Sequence, residues 1–191
     1  HISNWSRNNL FQLNPIKYKE MILSFNRPPA VYQPISIIVQ TFERVTSTKS
    51  LGIILTNDLK WTNHVNTVTS KASKRLYLLR QPKHADVGNV DLVSFYCSCI
   101  RLVLEYACQL FHSALPQYLV KDIECIQNRA MRIIYPDMTY NDALISAGIS
   151  ILEIRREHLS CKRIILYQRM TELPIPNTNR FENSFIIHYE K

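Results

Sequence analysis

Glycine is scarce: there are three in 191 residues, at positions 52, 88 and 148. No G-x-G and no G-K-[ST] can be built from them, so the chain lacks a glycine loop that cradles phosphates. It also lacks G-x-S-x-G, H-E-x-x-H and any His–Cys pair at a recognisable catalytic spacing, which removes the common hydrolase designs. Clustered carboxylates able to hold two metal ions are missing too. Asp122-x-Glu124 falls in the early turns of a predicted helix, where acids complement the macrodipole. No long apolar run is free of charge. The longest, Leu92 to Phe111, carries Arg101 and Glu105 in its middle and reads as a buried helix, not a membrane span. There is no signal peptide, and the start at His1-Ile2-Ser3-Asn4-Trp5 lacks Met and begins mid-pattern, as a fragment would.

Cysteine is present in an odd number, five, at 97, 99, 108, 125 and 161. They fall mostly on apolar helical faces, which argues for free thiols in a reducing, intracellular compartment, nucleus or cytoplasm. Cys97, Cys99, Cys108, His112 and Cys125 match no zinc knuckle or ribbon spacing, so they read as structural cysteines. The hydrophobic fraction is 46%, enough for one domain or two small units sharing a core. Lys and Arg number 23 against 15 Asp and Glu, a net charge of +8. This excess suits a polyanion: nucleic acid first, an anionic membrane surface second, with an incidentally basic soluble surface as the plain alternative.

Along the chain, residues 4 to 12 read as the end of a helix with Trp5 and Leu10 as apolar contacts, stopped by Pro15. Lys17 to Phe25, Ile35 to Phe42 and Leu51 to Leu55 read as three strands of a small antiparallel sheet. Val65, Val68, Ala72, Leu76 and Leu79 then mark an amphipathic helix ending at Pro82. Asp91 opens a helix to about Phe111, apolar on nearly every side. Leu119, Ile123, Ile126, Ala130 and Ile133 form the stripe of the next, which starts at Pro116 and ends at Pro136. Thr139-x-x-Asp142 begins a short helix stopping near Gly148, and Ser150-x-x-Glu153 reads as a capping box for a helix to about Met170. A β-rich first third followed only by helices gives an α+β class. Lys71, Lys74 and Arg75 share one helix flank. Arg155, Arg156, Lys162, Arg163 and Arg169 form a second, more scattered basic set. Both suit phosphate contact, with Tyr77 or Tyr167 as candidate stacking partners. Solvated helix faces explain most such runs.

Three stretches in order resemble a known family. Trp5 through Asn14-Pro15-x-Lys17 resembles the segment after the catalytic aspartates of non-LTR (LINE-type) retrotransposon reverse transcriptases, called motif D. Lys49-x-Leu51-Gly52-Ile53 resembles the K-x-L-G-[IV] element, motif E or the primer grip. Asp58-Leu59-Lys60-Trp61-x-x-His64 with Lys71-Ala72-x-Lys74-Arg75-Leu76 resembles the start of the thumb. Further on, Arg101-Leu102-Val103-Leu104-Glu105-Tyr106-Ala107-Cys108 is similar to the family's I-R-P-V-L-E-Y-A, with Leu102 where proline is usual. Ile126-Gln127-x-Arg129-Ala130-Met131-Arg132 is similar to its I-E-x-[IV]-Q-x-R-A-x-R run.

The resemblance implies a late piece of the polymerase: end of palm at residues 1–58, thumb-like helices at 59–114, a helical region at 115–176 and a tail at 177–191. It implies Lys17 as the motif lysine, a general acid for the leaving pyrophosphate. It implies Leu51 and Gly52 at the primer backbone, and Lys71, Lys74 and Arg75 on the duplex. The fingers, most of the palm and the catalytic aspartates lie outside these residues. The Mg²⁺ of the parent enzyme is therefore not expected to bind here, and the chain alone is expected to be inactive. The partner implied is an RNA/DNA primer–template duplex, with no membrane and no small-molecule cofactor site. Two rivals remain: a non-catalytic nucleic-acid-binding protein derived from such an element, and a helical interaction module without activity.

Overall fold

The computed structural model describes residues 5–6, 8–11, 14, 17–24, 32–37 and 40–171. The chain forms two compact units, residues 1–61 and 62–191. It is mixed α/β and mostly helical.

The first unit holds short strands paired two by two. β1 (Lys19–Glu20) lies parallel to β4 (Glu43–Arg44), and β2 (Ser36–Ile37) pairs antiparallel with β3 (Gln40–Thr41). β5 (Ser47–Ser50) and β6 (Ile53–Thr56) form an antiparallel hairpin. Among the described residues this replaces the expected single antiparallel sheet with three separate ladders, one of them parallel. Lys19 meets Glu43 at 3.2 Å and Arg44 meets Glu20 at 3.3 Å, so opposite charges face each other across the parallel pair. The stretch 51–55 is not one strand either, because Leu51 and Gly52 are the turn and the polar segment Ser47–Ser50 supplies the partner. Near the start, Trp5 stacks on Phe11 with ring centroids 5.6 Å apart. Leu10 is not an apolar contact; it is exposed and has a left-handed backbone.

The second unit is helical. α1 (Thr62–His84) buries Val65, Val68, Ala72, Leu76 and Leu79, the expected stripe, together with His64. Each large apolar side chain buried this way contributes about 1.5–3 kcal/mol. Pro82 lies inside the last turn, and the helix runs two residues past it before ending on Lys83 and His84, which suit the negative end of the dipole.

The next helix is interrupted. α2 (Asn89–Phe95) passes into a π-helical turn (Tyr96–Arg101) and then α3 (Leu102–Glu105). Its N-cap is Gly88, with Asp91 in the first turn and not at the cap. It stops at Glu105, short of Phe111, because Ala107 turns left-handed at φ 53° and two 3₁₀ turns follow, Cys108–Leu110 and His112–Ala114.

α4 (Gln117–Ile134) begins directly after Pro116 and buries Leu119, Ile123, Ile126 and Ala130; Ile134, not Ile133, completes the buried stripe. α5 (Tyr140–Ala147) is capped as expected. Asp142 N donates to the Thr139 hydroxyl, and Gly148 closes the helix at φ 64° with Ile149 N reaching the Leu144 carbonyl. α6 (Leu152–Thr171) is not opened by a Ser150 box. Glu124 of α4 caps it instead, its carboxylate accepting from Leu152 N at 3.4 Å and Glu153 N at 3.3 Å. α4 has no acid in its first turn, so neither Asp122 nor Glu124 sits where acids were expected to complement its dipole.

Candidate nucleic-acid interface

α1 has an unusual charge record. Its 23 residues include Lys71, Lys74, Arg75, Arg80 and Lys83 and no carboxylate. Solvated helices commonly interleave signs at i, i+4, which this one does not. Lys71 and Lys74 are exposed and lie on adjoining turns, so both ammonium groups can reach one phosphate backbone.

Arg75 belongs to the architecture. Its guanidinium Nη1 donates to the Cys99 carbonyl. Cys99 sits in the π turn, where i→i+5 bonds replace the usual i→i+4 ladder. Of the three residues on the expected flank, Lys71 and Lys74 are exposed, and Arg75, also exposed, places one guanidinium nitrogen on the Cys99 carbonyl. Arg80, also exposed, carries no expectation from the sequence, and Arg129 enters there only within the Ile126–Arg132 run. Arg129 of α4 reaches α1 by donating from Nη1 to the Ser73 hydroxyl at 3.0 Å.

In the first unit, the β5–β6 hairpin turns through Leu51 at φ 48° and Gly52 at φ 82°. Two successive positive φ values make a type I′ turn, whose twist matches the flanking strands. Glycine takes this backbone without penalty, whereas for Leu51 it costs about 1–2 kcal/mol. Leu51 is 86% exposed, an apolar side chain held outward at the tip. The hairpin base is pinned by Asn57 N on the Thr46 carbonyl at 2.8 Å. Asp58 Oδ1 accepts from the Thr56 hydroxyl at 2.6 Å and from Lys60 N at 3.1 Å. The Thr56 hydroxyl, then the Lys60 amide, hold the Asp58 carboxyl below its usual range. Lys17 is exposed in a single turn whose amide donates to the Asn14 carbonyl at 3.1 Å.

The second basic set divides differently. Arg156 is 0% exposed, and its guanidinium lies 5.3 Å over the Phe111 ring. None of its three nitrogens has an aligned hydrogen bond; the nearby Cys108 thiol favours the charge without closing one, and burial disfavours it more. It cannot meet a phosphate. Arg155 pairs with Glu105 at 3.2 Å. Glu105, buried to 7% exposure, also lies 3.5 Å from Arg101, within ion-pair range though not aligned as a hydrogen bond. The side chains of Lys162, Arg163, Tyr167 and Arg169 lie outside the described residues.

Gln127, from the Ile126–Arg132 run, serves the interior of the second unit. Gln127, fully buried, accepts from the Tyr96 hydroxyl at 2.7 Å and donates to the Ser150 carbonyl at 3.0 Å. Burial pushes the Tyr96 and Tyr140 phenols far above their usual range. Burial, then the Arg156 charge, push His112 down to about 4. The five cysteines are free thiols: Cys108 buried, Cys125 exposed, the others half-buried. Burial raises the Cys97 and Cys108 thiols.

Among the described residues, no three His, Cys, Asp or Glu side chains come together as a metal site. No described helix is long and apolar enough to cross a membrane. No protein-family model, no curated protein and no solved structure matches this chain.

Proposed function

We propose that this chain is part of the RNA-directed DNA polymerase of a non-LTR (LINE-type) retrotransposon and that it grips the primer–template duplex without supplying the catalytic aspartates. The observation that carries this reading is α1, a helix with five basic residues, no acid, and Lys71 and Lys74 on its outer side. Ammonium groups in that setting bind phosphate oxygens and position a duplex without reading its sequence. The Leu51-Gly52 tip is the second contact: Gly52 has no side chain to hold a backbone away, and the exposed Leu51 covers the sugar edge. In the whole polymerase, Lys17 is the proton donor to the leaving pyrophosphate, a role its exposed ammonium suits.

The test is binding of an RNA–DNA hybrid by Lys71→Glu/Lys74→Glu. Arg75 is left intact because its guanidinium holds the π turn. A loss of about tenfold or more supports the reading, since the two reversals remove two phosphate contacts and add repulsion. Unchanged binding sinks it. A helical interaction module is the second reading. It is favoured by a groove of about 520 Å³ between α5 and the start of α6, lined by Ile145, Ile149, Ile151 and Ile154. Under that reading, duplex binding ignores both reversals.

A further inference from the structure

Tyr77 stands on the same outer side of α1 and is 63% exposed. Lys74 and Arg80 lie three residues to either side of it, and at that spacing both are its neighbours on the helix surface. Both are exposed. A third cation comes from α4. Thr62 meets Tyr118 at 3.3 Å and Ser73 meets Arg129 at 3.0 Å, so eleven residues separate the two meeting points on each helix. The two helices therefore run parallel and in register, which brings Arg129 alongside α1 one turn before Tyr77. Neither α1 nor α4 puts an acid between them: α1 has none, Asp122 precedes Arg129 by two turns, about 10 Å, and Glu124 is committed to the α6 N-terminus.

We infer that Tyr77, with Lys74, Arg80 and Arg129 around it, is a contact for an unpaired nucleic-acid strand: the phenol ring stacks on one base while the cations hold the phosphates beside it. This rests on the proposed duplex grip and extends it to the single strand leaving the duplex. An exposed aromatic ring bounded by cations is the arrangement that binds single strands without sequence preference, because every base offers a π face and every nucleotide a charge. A double helix cannot use the ring in this way, since its bases are already stacked on one another. Lys71, farther round the helix, serves the duplex backbone.

The experiment compares a blunt RNA–DNA hybrid with the same hybrid carrying a single-stranded extension of about ten nucleotides, within the range that such sites cover. The wild type is expected to bind the extended form more tightly, by roughly 5- to 150-fold, the range of one base-on-ring stack. Tyr77→Ala loses that gain and keeps blunt-duplex binding; Tyr77→Phe keeps both. Arg80→Gln makes the salt dependence for the extended form shallower and leaves that for the blunt form alone. If the extension adds no affinity, or if Tyr77→Ala retains the gain, the inference fails while the duplex grip stands. If neither substrate binds, both fail.

Discussion

The amide of Gln127 joins residues from several elements: the Tyr96 hydroxyl, the Ser150 carbonyl, the Tyr140 hydroxyl at 3.1 Å and, at the limit of a bond, Glu124. A polar group that is fully buried is costly unless satisfied, and each partner orphaned by its removal costs about 1–3 kcal/mol. Gln127→Leu keeps the apolar bulk and orphans at least Tyr96 and Ser150. We expect a loss of about 2–4 kcal/mol in urea unfolding, and a change within about 0.5 kcal/mol would contradict the network. His112 gives the second prediction at this scale. Its folded pKa, about 4, lies below the ordinary 6.5, so the unfolded chain binds more protons between those values. Stability is then full above pH 6.5 and is lost as pH falls toward 4. His64, also lowered by burial, acts in the same direction. Replacing His112 by Leu should flatten that acid limb in pH-dependent denaturation; an undiminished slope contradicts the assignment.

At the scale of elements, the hairpin carries its own strain. Leu51 occupies a left-handed position for which Asn is the better residue in a type I′ turn. Leu51→Asn should stabilise the β5–β6 ladder by about 1 kcal/mol, seen as slower amide exchange from Ser47 to Thr56. Faster exchange would mean that the exposed leucine supports the turn. This turn also marks the limit of what a residue pattern reveals. Leu51 to Leu55 is apolar and looks like a strand, while the true partner, Ser-Thr-Lys-Ser, has no apolar alternation to betray it. Helices were more legible, because periodicity and caps are local. The α1 stripe, the Thr139 cap and the left-handed Gly148 are all where the residues imply. The features that escaped are tertiary. Glu124 caps a helix 28 residues downstream, and Arg75 serves a π turn that nothing in its own surroundings signals. Arg156 looks like one more basic surface residue until Phe111 and Cys108 close over it.

For the molecule as a whole, the net charge of +8 matters through its placement. Several arginines that contribute to it are engaged within the second unit: Arg156 over Phe111, Arg101 and Arg155 on Glu105, and Arg75 on the π turn. The acid-free side of α1 stays outward on the same unit and carries Lys71 and Lys74. The sequence made the basic flank visible; it could not reveal which cations were already committed, because, apart from the i,i+4 pair Arg101–Glu105, those commitments depend on residues 24 to 50 positions away. If the outward cations grip a duplex by its phosphates, the salt dependence of binding to a blunt RNA–DNA hybrid reads that grip directly. Log K is then expected to fall linearly with log salt, and Lys71→Glu/Lys74→Glu to make the slope shallower by about 2, close to one unit for each phosphate no longer neutralised. Binding that is insensitive to salt, or a slope that the two reversals leave unchanged, would contradict it.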